Sequence, residues 1–250
     1  MNHAQFKLTI AATTLAFAVS ACSDADAEPD SQPESTPTET SPSVTPPPGS
    51  EPWDMSGLLG ALAPGSYRMG VWGTADGAPH SHVQVDVPEG YYSNGGYVVD
   101  AGNNTFEPDQ FGEVAVWQVE HIVPDPCNSV TFADIGPGVR ALARALTRQP
   151  GQETTNPQPV TLDGHEGLYL EVTSTLPDLS GCAYSSHMLW HTGDAGDRAY
   201  GQERPGVTFH LWILDVDGTR LAIAVDNHPD QTDAQHQELI DIAETIRFEP

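Results

Sequence analysis

The sequence predicts an α+β domain: a twisted, mainly antiparallel β-sheet with helices packed on one or both faces. Three observations carry this. Short apolar or alternating runs recur between Tyr67 and Asp226, separated by turns rich in Gly, Asp and Pro. Two late runs, 207–215 and 219–226, are apolar without alternation and join at Asp217-Gly218, which reads as a hairpin covered on both faces. Helical spacing of apolar residues stands out in two segments.

The elements follow in chain order. Residues 67–74 and 82–87 read as strands joined at Ala75-Asp76-Gly77, a hairpin signal. Residues 91–100 and 114–123 read as two more. The first helix is predicted from Pro137, a favoured first-turn residue, to the Pro150-Gly151 stop, with Val139, Leu142, Ala143 and Leu146 on one face. Residues 159–162 and 167–173 flank a turn at Asp163-Gly164. The second helix is predicted over 233–246, opened by the capping box Thr232-Asp233-Ala234-Gln235 and burying Leu239, Ile242, Ala243 and Ile246. Trp72, Trp117, Trp190 and Trp212 fall in strand-like runs and read as core.

The first 52 residues are of another kind. Lys7 is followed by a run from Leu8 to Val19 that is apolar but shorter than the roughly 20 residues a membrane span requires. Val19-Ser20-Ala21-Cys22 closes it and resembles the lipobox of bacterial lipoproteins. Residues 1–21 are therefore expected to be a lipoprotein signal peptide and Cys22 the acylated residue that anchors the chain to the membrane. The alternative is ordinary signal cleavage near Ala25-Asp26-Ala27. Residues 22–52 read as the lipidated Cys and a disordered tether. Positions 23–52 hold eight Pro, seven acids and no Lys or Arg, too little apolar area to offset chain entropy. Residues 53–250 are expected to form a single globular domain.

Charge narrows the partners. The leader contains no acid, so removing it leaves eight Arg against 35 acidic residues, a net charge of −27. Twenty-eight of those acids lie in 53–250, giving the domain −20. Such a field repels nucleic acid and anionic headgroups and favours cationic ligands. Once Cys22 is set aside, Cys127 and Cys182 are an even pair for an oxidising compartment, expected as a disulfide; the alternatives are two free thiols or metal ligands.

The blocks Pro88-Glu89-Gly90-Tyr91, Trp117-Gln118-Val119, Asp125-Pro126-Cys127, Gly136-Pro137-Gly138-Val139, 162–167 (LDGHEG), Cys182 and 211–220 (LWILDVDGTR) occur in an order that resembles uncharacterised cell-envelope lipoproteins of actinobacterial type. The resemblance covers most of residues 65–250 and implies an envelope location, without an assigned activity or catalytic residue. By element order the layout also resembles the Mog1/PsbP-like α/β/α sandwich. Fold alone supplies no function.

Familiar catalytic motifs are absent: no nucleophile elbow, phosphate loop, dinucleotide glycines or HExxH occurs, and no Lys follows residue 7. His80 with His82, and His187 with His191, have spacings that could share a face and hold Zn²⁺ with a carboxylate; lone surface imidazoles are the commoner outcome, and no metal or cofactor is assigned. Asp215 and Asp217 resemble the start of a calcium loop whose later ligands are missing, so they are assigned to the turn. Arg140, Arg144 and Arg148 share one face of the first helix as a candidate contact for an anion or partner; the alternative is a solvated face paired with carboxylates. The expected function is that of a monomeric, non-enzymatic recognition or accessory domain on the extracytoplasmic face of the cell membrane. It would bind an envelope protein or small ligand through a sheet face or the loops at Gly95-Gly96 and Asp194. The alternative is a carrier or chaperone for a small hydrophobic ligand, held in a pocket between sheet and helix.

Overall fold

The computed structural model describes residues 52–75, 77–100, 112–128, 132–192, 199–202 and 204–249. Its organising element is the hairpin read from the sequence. Nine residues, Thr208–Val216, pair in register with Thr219–Asn227, from Thr208 opposite Asn227 to Val216 opposite Thr219. The turn works because Asp217 and Gly218 both hold positive φ, +51° and +87°, and Asp215 Oδ1 accepts from the Gly218 amide at 2.8 Å. These aspartates build the turn.

The strands, in chain order, are β1 (Trp53–Asp54), β2 (Leu59–Ala61), β3 (Gly65–Trp72), β4 (His82–Val87), β5 (Tyr91–Asn94), β6 (Val98–Asp100), β7 (Glu113–Gln118), β8 (His121–Ile122) and β9 (Ala133–Asp134). Helix α1 (Val139–Leu146) precedes β10 (Gln152–Thr154), β11 (Gln158–Leu162) and β12 (His165–Ser174). Then come β13 (His187–His191), β14 (Ala199–Gln202), β15 and β16 (the central hairpin), α2 (Asp233–Glu244) and β17 (Arg247–Phe248). The main sheet runs β10-β12-β15-β16-β7-β3-β4-β17, antiparallel except where β3 lies parallel to β7 and to β1. A smaller sheet runs β14-β13-β8-β9.

Both faces of the central strands are buried, which explains the lack of alternation in their sequence. On one face Trp212, Leu214, Leu221, Ile223 and Val225 join Val83, Val85, Val114 and Val116 beneath Leu239, Ile242, Ala243 and Ile246 of the α2 segment. On the other, Leu211, Ile213, Ala222, Ala224 and Ala115 meet Leu142, Ala143 and Leu146 of α1 and the rings of Trp117, Trp190 and Tyr200. Alanine at 115, 222 and 224 leaves the volume those large rings fill. The expected α+β architecture, with a helix on each face, is therefore present.

Several boundaries differ from the sequence reading: α1 ends at Leu146 and α2 at Glu244, each earlier than read, and β12 begins at His165. Residues 91–100 divide into β5 and β6 around Gly95-Gly96, both at positive φ. Residues 114–123 divide too: β7 stays in the main sheet, while β8 turns away into the smaller one. Helix α1 starts at Val139 behind a Gly138 cap at φ +88°, so Pro137 lies before the helix. Trp72 is half-buried, stacked on Tyr97 with centroids 5.0 Å apart, whereas Trp117, Trp190 and Trp212 are core.

The capping box at α2 forms as read: the Thr232 hydroxyl accepts from the Gln235 amide at 3.3 Å, and Gln235 Oε1 accepts from the Thr232 amide at 2.9 Å. Thr232→Ala is expected to lower stability by about 1 kcal/mol in denaturant unfolding.

Candidate functional site

Helix α2 lies over one face of the main sheet and leaves a flank open on each side. On the flank beside β3 and β4 an open groove of about 620 Å³ runs between sheet and helix. Its apolar surface comes from Val87, Pro88 and Ile242. Its carboxylates stand on opposite walls, Asp86 and Glu89 from the sheet side and Glu238 and Asp241 from the helix. The i, i+3 spacing of the latter two places them on one helical face. Asp86 is engaged by Arg247, at 2.9 and 3.0 Å to its two oxygens, and by the Ser66 hydroxyl. Glu238 accepts from the Tyr91 hydroxyl at 3.1 Å, and Asp241 from Gln237 at 2.7 Å. With Arg247 offsetting one charge, the groove retains about three net negative charges facing water.

On the other flank a hydrogen-bonded line crosses three strands. Asn227 Nδ2 lies 2.8 Å from His210 Nε2, His210 Nδ1 lies 2.6 Å from the Tyr169 hydroxyl, and that hydroxyl donates to Glu171 Oε1 at 3.0 Å. Register places these groups on one face, with Glu171 opposite His210 and Tyr169 opposite Trp212. Burial pushes the His210 imidazole below its usual value; the Glu171 charge opposes this and His236 adds to it. Burial, then the Glu171 carboxylate, pushes the Tyr169 phenol up, so it stays protonated and donates. Sequence reading missed this line. The available signal was a lone polar His210 between Phe209 and Leu211 in an otherwise apolar run.

Cys127 and Cys182 form the disulfide expected from their parity, with Cα atoms 4.4 Å apart. Cys22 and Asp194 lie outside the described residues. Arg140 and Arg144 lie on α1 and Arg148 just beyond its end at Leu146; all three are exposed and form no ion pair among the described residues. Arg140 also borders a second depression of about 430 Å³, together with Glu166 and Asp215.

The histidines of the two pairs have different surroundings. His80 is buried at φ +56°, with Nδ1 2.8 Å from the Glu249 carbonyl, while His82 sits against the Ser81 hydroxyl. His187 and His191 are both buried on β13, across a bulge. Among the described residues no three His, Cys, Asp or Glu side chains gather as metal ligands.

His187 is fully buried, and among the described residues neither ring nitrogen has a well-aligned hydrogen bond. Burial lowers its pKa; the Pro150 carbonyl and the Asp125 charge only partly offset this. A lowered native pKa gives stability that is full above the unfolded value of about 6.5 and is lost as pH falls through it. Unfolding followed from pH 7 to 5 is expected to show that loss, up to about 1.4 kcal/mol per pH unit, and His187→Gln should flatten it.

No protein-family model matches the chain, and no curated protein matches it. Among solved structures the chain resembles the solution structure of cyanobacterial PsbP (CyanoP) from Synechocystis sp. PCC 6803. The match has 12% identity, covers 74% of this chain and 93% of that one, and has a TM-score of 0.32.

Proposed function

We propose that this chain is a lipid-anchored, extracytoplasmic recognition domain without enzymatic activity, and that the groove beside α2 holds a basic peptide segment of an envelope protein. The carrying observation is the groove itself, with carboxylates on opposite walls of an open cleft that has an apolar lining. A peptide with alternating cationic and apolar side chains satisfies both parts. The domain's −20 charge adds long-range attraction for such a ligand and repels anionic ones. The disulfide fits export to an oxidising compartment. Cys22 supplies the anchor, in keeping with the resemblance to actinobacterial-type envelope lipoproteins. The carrier alternative gains the same apolar lining, but the carboxylates oppose the acidic headgroup of a fatty acid or phospholipid.

The test is titration of the full chain with a fluorescent Lys/Leu-alternating decapeptide at pH 7.5 and 0.15 M salt. Saturable binding is expected, with about a tenfold loss in the variant Glu89→Gln/Glu238→Gln/Asp241→Asn, because exposed ion pairs contribute about 0.2–1 kcal/mol each. Equal binding by that variant would contradict the assignment. Intact-mass measurement on protein extracted from membranes is expected to show cleavage before Cys22 and added acyl mass, both absent in Cys22→Ser.

A further inference from the structure

We propose that the flank of α2 opposite the groove is a pH-sensitive latch, closed at neutral pH and released in acid, that controls the position of the groove's helical wall. The regulatory role rests on the reading of the groove as the binding site; the latch itself does not.

The geometry requires a neutral His210 in the closed state. Asn227 Nδ2 donates to Nε2, so the single ring proton sits on Nδ1 and points to the Tyr169 oxygen, whose own proton goes to Glu171. Every group in the line has one direction. A second proton on the ring would place an N–H at Nε2 against the Asn227 NH₂, two donors 2.8 Å apart. The line then closes only if the Asn227 amide turns to present Oδ1, an atom buried without a partner among the described residues.

Asn227 couples this change to the helix. Its neighbour His228 accepts at its carbonyl from His236 Nε2 of α2, at 3.1 Å, and its ring lies 3.4 Å from Asp226. The groups facing the line are Tyr169 and Glu171 on β12, Asn227 on β16, and His236 on α2, with Glu244 of α2 acting on Tyr169. Glu171 is 4.0 Å from Nδ1 and already accepts from Tyr169, so it only partly compensates a second proton; His236 repels it. Helix α2 carries Glu238, Asp241 and Ile242 into the groove, so loosening its first turns displaces one wall.

The sign follows from burial. The closed state disfavours protonated His210, so the latch holds fully above the ordinary value of about 6.5. It weakens as pH falls below that, by up to tenfold in the opening constant per pH unit until the lowered native value is reached. His187 titrates in the same direction but sits in the opposite core, so its effect is global opening, including β15 and β16.

Amide hydrogen exchange of the full chain between pH 7.5 and 5, corrected for intrinsic rates, separates these effects. Wild-type α2 is expected to lose protection relative to β15 and β16 by about tenfold or more, and His210→Gln to keep it. A flat wild-type profile overturns the latch, as does a His210→Gln profile that tracks wild type. In case His210→Gln folds poorly, wild-type imidazole titration by NMR supplies a second readout. His210 and the α2 amides should share one midpoint, and separate midpoints overturn the proposal. The decapeptide's affinity for wild type should fall with the same midpoint. A peptide that binds at no pH, with the exchange result intact, overturns the groove reading alone.

Discussion

Replacing Cys127 and Cys182 together by serine is expected to destabilise the domain by about 4 kcal/mol, because the bridge closes a segment with sequence separation 55 and the chain-entropy relation gives that value for such a loop. The bridge joins the segment after β8 to the segment before β13. Backbone bonds from Ala183 to the Cys127 carbonyl, at 2.8 Å, and from Met188 to the Pro126 carbonyl, at 3.0 Å, run alongside it. Those bonds are local and survive only while the segments stay together, so the covalent link limits the unfolded ensemble more than it shapes the native one. Guanidinium unfolding of wild type against the double variant should show a lower midpoint and a steeper slope, as the unlinked chain exposes more surface. A loss below about 1 kcal/mol would show that the linkage adds little to this fold. Reduction of the wild-type protein should reproduce the double variant.

Arg220→Ala is expected to cost about 3 kcal/mol. Arg220 sits on β16, yet its guanidinium leaves the sheet to bind main-chain carbonyls in two connections. Nε and Nη2 donate to Val119 at 3.0 and 2.6 Å, and Nη1 donates to Gly136 at 2.6 Å and to Gly138 at 3.2 Å. It thus ties the β7–β8 turn to the chain entering α1. The Gly138 cap has no side chain to hold that entry, and the arginine holds it instead by donating to the Gly136 and Gly138 carbonyls; it cannot cap the first amides of α1, because a guanidinium has no acceptor. Removing it strips partners from the partly buried carbonyls of Val119 and Gly136, and charged hydrogen bonds contribute about 1.5–3 kcal/mol each before compensation by water. Arg220→Lys should recover little, because an ammonium cannot span both connections with a planar fork. Thermal unfolding of the two variants and wild type checks this; full rescue by lysine would contradict the clamp.

Much of the scaffold could be read in advance, and the reasons are local. The β15–β16 hairpin combines a turn pair that tolerates positive φ with arms long enough to reveal burial on both faces. Thr232 and Gln235 lie three residues apart, so the start of α2 is written in one short stretch. The divisions of 91–100 and 114–123 were not legible, because each is decided by tertiary context. Tyr92 must pair with both Ala61 and Val99, and Ile122 must leave the main sheet to meet Trp190. Periodicity cannot record a change of sheet.

The sites divide in the same way. Parity exposed the disulfide, since once Cys22 is set aside the two remaining cysteines have one pairing. Helical spacing suggested an arginine row at 140, 144 and 148 on the first helix; α1 ends at Leu146, so Arg148 lies beyond it. The groove was invisible because Asp86 and Asp241 stand 155 positions apart and meet only when α2 folds back over β3 and β4. In an acidic chain each carboxylate reads as surface until the fold shows which ones share a cleft. The His210 line is likewise a product of register: Tyr169, Glu171, His210 and Asn227 come from three strands, and a shift of one residue would put His210 on the opposite face.

The most direct measurement is the footprint of the Lys/Leu decapeptide on the isotope-labelled full chain at pH 7.5, followed by amide shifts in NMR. The account predicts that the largest changes fall on 86–89 and 238–245, on both sides of the α2 groove. Changes centred on the second depression around Arg140 and Glu166, or spread evenly over the acidic surface, would contradict it.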